Sequence, residues 1–285
     1  MEGKKVTVND LLDMKKRKKK IVRLICYDYP MALLVDRAGV DAILVGDSVG
    51  MVALGMENTM EVTMEDVIRH CRAVTRGAKR AFVIGDMPFL SYQPSTRDAI
   101  YNAGLLMKQA GVDAIKVEGG REVAPTVRAI VNAGMPVEGH IGVTPQSASQ
   151  LGGYKVQGAD VATARKMIDD AKALEDAGAF MIIMECIPDR VAEYICSQVS
   201  IPCLGFGCGP NVDGQSLNVY DILGLFEKFV PKPVKKYADL QSIIVKAFQQ
   251  YKEEIERGIY PGEENTYHIK DDVLNAVLDA VKNEK

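Results

Sequence analysis

Five apolar stretches of strand length recur along the chain, and each ends in a polar or ionisable residue. They span residues 42–47, 82–86, 114–118, 136–140 and 181–185, and they end in Asp47, Asp86, Glu118, His140 and Glu185. Amphipathic segments of helix length lie between them. Apolar runs flanked by helices are typical of buried parallel strands, because helices cover such a sheet. Since α/β folds bind ligands at the carboxyl ends of their strands, the recurrence predicts one site assembled from many segments.

A repeated junction supports this alternation of helices and strands. Residues 38–45 (Ala-Gly-Val-Asp-Ala-Ile-Leu-Val) recur nearly unchanged as residues 110–117. We interpret each unit as the end of a helix, a left-handed glycine and the entry into a strand. A (β/α)8 barrel needs roughly 250 residues, and the chain has 285. The predicted fold is therefore α/β, a single (β/α)8 TIM barrel with an N-terminal helix and an extra C-terminal helix.

The same patterns predict the individual elements. Strands are expected near residues 21–27, 41–47, 81–86, 114–118, 136–140, 180–185, 202–207 and 227–230. Helices are expected at residues 8–17, 64–77, 96–110, 121–133, 161–177, 189–199 and 237–257, and Thr7 or Asn9 would cap the first of them. The predicted domains are an N-terminal helical segment (1–20), a catalytic barrel (21–268) and a C-terminal helical tail (269–285).

Composition narrows the classes of function. A formal net charge of -3 gives no general attraction to nucleic acid or membranes. The chain has no apolar run near the roughly 20 residues of a membrane span, and its polar start lacks a secretory signal, so a cytoplasmic location is expected. The basic run 15–20 is interpreted as a solvated helix end. The six cysteines are predicted to be reduced, although a disulfide between Cys203 and Cys208 is conceivable.

Three strand-end carboxylates form the candidate metal site. Asp47 and Asp86 each follow an apolar stretch and a glycine, and Glu118 ends the next strand. Burying several carboxylates together is costly unless a cation compensates their charge. Oxygen ligands without a nearby histidine and cysteine set favour Mg²⁺ over Zn²⁺. The alternative is that each acid caps a helix or pairs with an arginine.

Lys116, His140 and Glu185 are the other candidate site residues. Lys116 alternates with Glu118 along one strand, so both side chains face the same way, and the ammonium could hold a substrate carboxylate. A Schiff-base role is less favoured because neighbouring carboxylates keep an amine protonated. His140 could be a donor or a structural histidine. Glu185 follows a strongly apolar run, a setting that suits either a general base or a buried ion pair.

Two glycine-rich loops are further candidates. Residues 205–209 (Gly-Phe-Gly-Cys-Gly) end the seventh strand, where barrels often bind phosphate, but they lack the spacing of a dinucleotide site. Residues 152–158 (Gly-Gly-Tyr-Lys-Val-Gln-Gly) could form a lid over the site or a plain flexible connection.

Several motifs together resemble the ketopantoate hydroxymethyltransferase (3-methyl-2-oxobutanoate hydroxymethyltransferase) family. They occur in order over residues 21–268, as 27–29 (Tyr-Asp-Tyr), 45–51 (Val-Gly-Asp-Ser-Val-Gly-Met), 85–89 (Gly-Asp-Met-Pro-Phe), 115–120 (Ile-Lys-Val-Glu-Gly-Gly), 139–147 (Gly-His-Ile-Gly-Val-Thr-Pro-Gln-Ser), 152–158, 185–188 (Glu-Cys-Ile-Pro) and 260–263 (Tyr-Pro-Gly-Glu). Phe206 and Cys208 depart from the smaller or aliphatic residues expected in the family's glycine loop.

The resemblance implies an activity and roles for these residues. It implies transfer of a hydroxymethyl group from the co-substrate 5,10-methylenetetrahydrofolate to 3-methyl-2-oxobutanoate, through a Mg²⁺-stabilised enolate, in the first step of pantothenate biosynthesis. Mg²⁺ would be bound by the residues matching Asp47, Asp86 and Glu118. Glu185 would be the catalytic base, and the 2-oxoacid would be bound by Asp47, Ser48, Asp86, Lys116 and His140. The family also implies a homo-oligomer, commonly a decamer.

Two other functions compete with this one. Barrels of the phosphoenolpyruvate mutase and isocitrate lyase group also form Mg²⁺-bound enolates, but their lyases carry a Lys-Lys-Cys-Gly-His loop that this chain lacks. A non-catalytic ligand-binding barrel is the second alternative. It would have no need for Glu185, Asp47 and Asp86 together.

Overall fold

The computed structural model describes residues 3–153 and 155–283. The chain divides between Tyr237 and Ala238 into two compact units. All strands of the barrel lie in the first unit, and they fall within residues 21–268. The predicted domain boundaries themselves stay predictions. The helices in the described part of the chain lack the length and apolar character that crossing a membrane requires.

The first unit contains a closed barrel of eight parallel strands in sequence order, which confirms the predicted fold. Strand β8 pairs with β1 in parallel and completes the circle. The strands are Ile21–Ile25 (β1), Ala42–Val45 (β2), Phe82–Asp86 (β3), Ala114–Glu118 (β4), Val137–Gly142 (β5), Met181–Glu185 (β6), Cys203–Phe206 (β7) and Gly214–Asn218 (β8). Strands β2 to β5 are buried at every position, because helices cover them outside and side chains fill the barrel inside.

The predicted eighth strand near residues 227–230 is wrong. The barrel closes instead with β8, which pairs along its whole length with β1, from Ile21 opposite Gly214 to Ile25 opposite Asn218. A search for apolar runs misses this strand because most of its residues are polar: Gln215, Ser216 and Asn218. The polar side chain of Ser216 is buried with a partner, since Arg23 Nε donates to its Oγ over 2.9 Å.

Helices follow most of the strands. In the first unit they are Val8–Lys16 (α1), Tyr29–Arg37 (α2), Val49–Val52 (α3), Met64–Gly77 (α4), Thr96–Leu105 (α5), Ala124–Asn132 (α6), Ala148–Leu151 (α7), Val161–Asp176 (α8), Asp189–Gln198 (α9) and Val219–Ile222 (α10). The predicted helix 96–110 continues from α5 into a π-helical turn at Leu106–Ala110, and the predicted helix 121–133 begins as a 3-10 turn at Arg121–Val123. Thr7 caps α1, since its side chain accepts a hydrogen bond from the Asp10 N–H.

The repeated junction has the expected conformation. Gly39 and Gly111 have φ values of 79° and 69°, in the left-handed region that glycine adopts without steric cost. Each glycine turns the chain from a helix into the next strand, β2 or β4. The alternation that the repeat predicts is therefore confirmed at both copies.

A buried ion pair crosses the inside of the barrel. Arg23 on β1 contacts Glu138 on β5, and the two side chains are 1% and 0% exposed. Apolar side chains pack together at the amino-terminal end of the strands, and Leu11 and Met14 of α1 extend this cluster. This end of the barrel is a packed core.

The second unit is helical. It contains Leu240–Glu256 (α11), a 3-10 turn at Glu263–Asn265 and Asp271–Asn283 (α12). The predicted amphipathic helix in the tail is confirmed by α12. Within this unit the rings of Tyr251 and Tyr260 lie with centroids 5.7 Å apart.

Candidate active site

The polar strand ends meet at one end of the barrel. Asp86, Glu118 and Glu185 are the last residues of β3, β4 and β6, and Asp47 follows β2 by two positions. Parallel strands present their carboxyl ends at the same end of a barrel, so short apolar strands place these side chains together. His140 lies in β5, directly opposite Glu118 in the strand register.

The ammonium of Lys116 lies at the centre of the group. Its Nζ is 2.9 Å from Asp86 Oδ1, 3.2 Å from Glu118 Oε1 and 3.3 Å from His140 Nδ1. Lys116 and Glu118 thus face the same interior, as their alternation along β4 requires. Burial opposes the charge of Lys116, but the surrounding carboxylates outweigh it and hold the pKa of this lysine well above its usual value.

Asp47 and Asp86 contact each other directly. The backbone N–H of Asp47 donates to Asp86 Oδ2 over 3.0 Å, and both residues are buried. Burial and the nearby charges of Asp86 and Glu118 raise the pKa of Asp47 well above its usual value. Glu118 differs, because Lys116 and His140 outweigh the effect of burial and lower its pKa to about 2.

His140 lies between two carboxylates. Its Nδ1 is 3.3 Å from Glu118 Oε1, and its Nε2 is 3.4 Å from Glu185 Oε2. Burial and the charge of Lys116 oppose protonation of the ring, but Glu118 and Glu185 prevail and raise the pKa of His140 to about 9. Glu185 is the more accessible partner, with a side chain 21% exposed against 1% for Glu118.

The group carries an excess of negative charge that suits a divalent ion. Asp47, Asp86 and Glu118 supply three buried carboxylates. The ammonium of Lys116 and the ring of His140, which its raised pKa keeps protonated near neutral pH, offset two of them, so the excess charge rests on Asp47. Mutual repulsion at this density favours binding of a hard cation by the carboxylate oxygens. The residues present therefore fit the oxygen-ligated Mg²⁺ that the sequence predicts.

Comparison with known proteins identifies the family. The family model described as Ketopantoate hydroxymethyltransferase matches residues 5–263. The chain is 51% identical to the 3-methyl-2-oxobutanoate hydroxymethyltransferase of Syntrophomonas wolfei over 95% of this chain and 98% of that protein. It is 50% identical to the enzyme of that name from Carboxydothermus hydrogenoformans, over 96% and 99%. The chain belongs to the ketopantoate hydroxymethyltransferase family. It is therefore a hydroxymethyltransferase.

The fold is also similar to that of a solved barrel from another enzyme family. A crystal structure of 2,3-dimethylmalate lyase, a member of the phosphoenolpyruvate mutase and isocitrate lyase superfamily, matches with a TM-score of 0.58 at 15% identity. The match covers 97% of this chain and 96% of the lyase. At this identity the likeness concerns the fold alone.

Gln146 contacts the candidate site, although the sequence analysis does not single it out. Its Nε2 donates to Asp47 Oδ2 and to the Met87 carbonyl, over 2.9 Å each. Its backbone N–H donates to Glu118 Oε2 over 3.0 Å, and its Oε1 accepts from the Tyr92 hydroxyl over 2.8 Å. Gln146 lies inside the motif 139–147 that carries the family resemblance, and that motif was the available signal.

Tyr27 was also missed, and it holds Ser48. The hydroxyls of Tyr27 and Ser48 lie 2.7 Å apart, and Asn218 Nδ2 donates to the Tyr27 hydroxyl over 2.6 Å. Ser48 therefore occupies a fixed position next to Asp47, at the start of α3. Asn218 lies on β8, the strand for which the sequence pattern predicted the wrong position.

The roles predicted for the two glycine loops stay predictions. In the loop 205–209 the Cys208 thiol donates to the Met184 carbonyl over 3.1 Å, and the Ile187 N–H donates to its sulfur over 3.5 Å. Cys208 thus packs on the end of β6. In the loop 152–158, Tyr154 lies outside the described residues.

Proposed function

We propose that this enzyme transfers a hydroxymethyl group from 5,10-methylenetetrahydrofolate to 3-methyl-2-oxobutanoate. The products would be 2-dehydropantoate (ketopantoate) and tetrahydrofolate, in the first step of pantothenate biosynthesis. The observation that carries the proposal is the convergence of Asp47, Asp86 and Glu118 in one buried group, with Glu185 at its accessible edge. Such a site can bind an anionic oxoacid through a cation and present a base beside it.

Asp47 and Asp86 would hold the metal, with Glu118 completing its shell. The support is the excess of negative charge that remains on the three carboxylates beside Lys116 and His140, and the oxygen-only donor set. When bound, Mg²⁺ would act as a Lewis acid for the negative oxygen that develops beside the acidic carbon. Gln146 would orient two of the three carboxylates, since it donates to Asp47 and to Glu118.

The protein's own groups would bind the oxoacid and remove its proton. Lys116 carries a fixed ammonium that can pair with the substrate carboxylate, and Ser48 is held by Tyr27 as a neighbouring hydroxyl. Glu185 would take the proton from the carbon next to the keto group. His140 contacts Glu185 Oε2 and Glu118 Oε1 from its two ring nitrogens, so it would fix the base relative to the metal shell.

Location and assembly are part of the same proposal. We expect a cytoplasmic enzyme that forms a homo-oligomer, with the decamer of the family as the first expectation. Light scattering coupled to size-exclusion chromatography measures the mass of the assembly.

The proposal separates into two reactions that can be measured independently. Full turnover is followed as ketopantoate formed from 3-methyl-2-oxobutanoate and methylenetetrahydrofolate, with Mg²⁺ or with a chelator. Proton removal is followed as deuterium exchange at the acidic carbon of the oxoacid in D₂O without folate. We expect both reactions to need Mg²⁺ and exchange to proceed without folate. Turnover that persists undiminished after the metal is removed would contradict the metal model.

A further inference from the structure

A second group of reactive side chains lies at the amino-terminal end of the barrel strands, away from the carboxylates. Cys203 is the first residue of β7, and Asp213 directly precedes β8. Cys196 comes from α9 and Lys15 from α1. The two Sγ atoms and a carboxylate oxygen of Asp213 all lie within 4.8 Å of one another. We call these four residues the thiol cluster.

Lys15 gives the thiol cluster a fixed positive charge. It belongs to the basic run 15–20, which the sequence analysis interprets as a solvated helix end. Residues 16–20 are exposed as predicted, but the prediction is wrong for Lys15, whose side chain is only 13% exposed. Its Nζ donates to the carbonyls of Ile201 and Cys196 over 2.7 and 3.0 Å, and it lies 2.9 Å from Asp213 Oδ2. The same oxygen accepts the Cys203 N–H over 2.8 Å. The carboxylate is therefore already engaged, which favours thiol chemistry over binding of a metal ion.

The two thiols of the cluster differ in reactivity. Hydrogen bonding from Cys203 lowers the pKa of Cys196 against the effects of burial and of Asp213, and the nearby charge of Lys15 assists. Cys203 is fully buried, and its contact with Cys196 together with burial raises its pKa well above the usual value. Cys196 is half-buried. The thiolate is the reactive form of cysteine. Cys196 is the more accessible thiol, whereas the buried Cys203 thiol donates to the Ile201 carbonyl, so Cys196 would be the nucleophile and Cys203 the protonated partner.

We propose that Cys196 is an oxidation site whose sulfenic acid is captured by Cys203 as a disulfide, with hydrogen peroxide as the oxidant. The Cys196 thiolate attacks one peroxide oxygen, the O–O bond breaks and hydroxide leaves. Cys203 then gives its proton to hydroxide, its sulfur attacks the Cys196 sulfur, and the S–O bond breaks to release a second hydroxide. This second hydroxide takes up the proton that Cys196 released on becoming a thiolate, so two thiols and one peroxide give one disulfide and two waters.

The chain contains a matched comparison for Cys196. Cys186 is also half-buried, but burial raises its pKa to about 11 and its charged neighbour is Glu185. After brief peroxide treatment of the whole enzyme and alkylation of the remaining thiols, mass spectrometry reports the oxidation of each cysteine. We expect Cys196 to react at least about tenfold faster than Cys186. Chymotryptic cleavage after Leu204 or Phe206 separates Cys208 from the pair, so a linkage between Cys196 and Cys203 is assigned without ambiguity.

Variants divide the reaction into its steps. In Cys203→Ser the sulfenic acid at Cys196 should accumulate and be trapped by dimedone, without a disulfide. In Cys196→Ser, Cys203 should stay reduced. Lys15→Gln should slow the oxidation of Cys196, whereas Lys16→Gln, at an exposed position of the same helix, should leave the rate unchanged.

Three outcomes would overturn the proposal. Cys196 could be oxidised no faster than Cys186 in the unmodified enzyme, a comparison that requires no variant to fold. The disulfide could join Cys203 to Cys208 instead. The third outcome is that the thiols resist peroxide but bind added Zn²⁺ reversibly, which would make the cluster a metal site.

Discussion

Asp47 is a residue whose surroundings disfavour its own charge. Burial, Asp86 and Glu118 all raise its pKa above the ordinary value of 3.8, so its ionised form costs folding free energy. In a binding site, a ligand of opposite charge offsets this destabilisation when it binds. Stability and binding should therefore respond in opposite directions when this one charge is removed.

Asp47→Asn tests this opposition, because asparagine can still accept the hydrogen bond of Gln146. Without metal, the variant should melt at a higher temperature than the unmodified enzyme at pH 7 to 8. Ionised Asp47 destabilises the folded state only as the pH rises above 3.8, the ordinary pKa of its carboxyl group. The difference in melting temperature between the two proteins should therefore vanish near pH 4. Addition of Mg²⁺ and 3-methyl-2-oxobutanoate should raise the melting temperature of the unmodified enzyme only. Equal stabilisation of both proteins would remove Asp47 from the metal site.

Glu185→Gln tests the proposed base separately from the metal. The change keeps the size of the side chain but removes its ability to accept a proton. A general base contributes ~10²–10⁴ in rate, so the rate at which the substrate proton exchanges for solvent deuterium should fall by at least about a hundredfold. Calorimetry should still show Mg²⁺-dependent binding of the oxoacid. Exchange at the original rate would assign proton removal to another group.

Gln146→Leu tests the side chain that donates to Asp47, because the contact with Glu118 is made by the backbone N–H of Gln146 and is kept. The change removes the donor to Asp47 and to the Met87 carbonyl, whereas the Tyr92 hydroxyl keeps its hydrogen bond to the Glu118 carbonyl. We expect weaker Mg²⁺ binding and a loss of about 1–3 kcal/mol in the free energy of unfolding. Gln93→Ala is the matched control, because its exposed amide contacts Gln146 Oε1 from outside and leaves both donors of Gln146 in place. Equal effects of the two changes would rule out the specific role of Gln146.

At the scale of elements, the strands differ in how clearly the sequence predicts them. Strands β2 to β6 are short, mostly apolar runs with an ionisable residue at or near their carboxyl ends, and the patterns place each of them within a few residues. Strand β8 carries Gln215, Ser216 and Asn218, and its burial depends on partners from β1 that are remote in sequence. The hydrophobicity of a segment does not predict partners that are distant in the sequence. This is why the seven other strands were found and the eighth was placed too late in the chain.

Gly214→Ala tests the closure between β8 and β1. A Cβ atom at Gly214 would lie 2.2 Å from the Ile21 carbonyl oxygen and 2.9 Å from its Cβ, so one of the two strands must move. We expect a loss of at least about 2 kcal/mol in the free energy of unfolding. Gly104→Ala on α5 is the matched control, for which we expect a gain rather than a loss in the free energy of unfolding. Its Cβ would meet nothing within 4 Å, and alanine in a helix should stabilise by roughly 0.5–1 kcal/mol. Urea unfolding followed by circular dichroism compares the two variants.

At the scale of the whole barrel, Arg23 and Glu138 join opposite walls. Neither charge reaches solvent, so removal of one partner leaves the other buried without compensation. Arg23→Met should therefore cost about 3–5 kcal/mol of unfolding free energy, and Arg23→Met with Glu138→Leu should cost much less. Arg69→Met removes an exposed pair with Glu65 on α4 and should change stability by less than about 1 kcal/mol. A double variant as unstable as Arg23→Met alone would show that the interior requires the charges themselves.

The sequence by itself determined the barrel and most of the site. Periodicity and repeated junctions are local properties, and parallel strands with polar ends lead to one assembled group of Asp47, Asp86, Lys116, Glu118, His140 and Glu185. Only the tertiary structure decided which strand closes the barrel and which residues support that group. Gln146, Tyr27 and the pairing of Cys196 with Cys203 depend on contacts between distant segments. Such contacts follow from the packing of the whole chain, which no local pattern encodes.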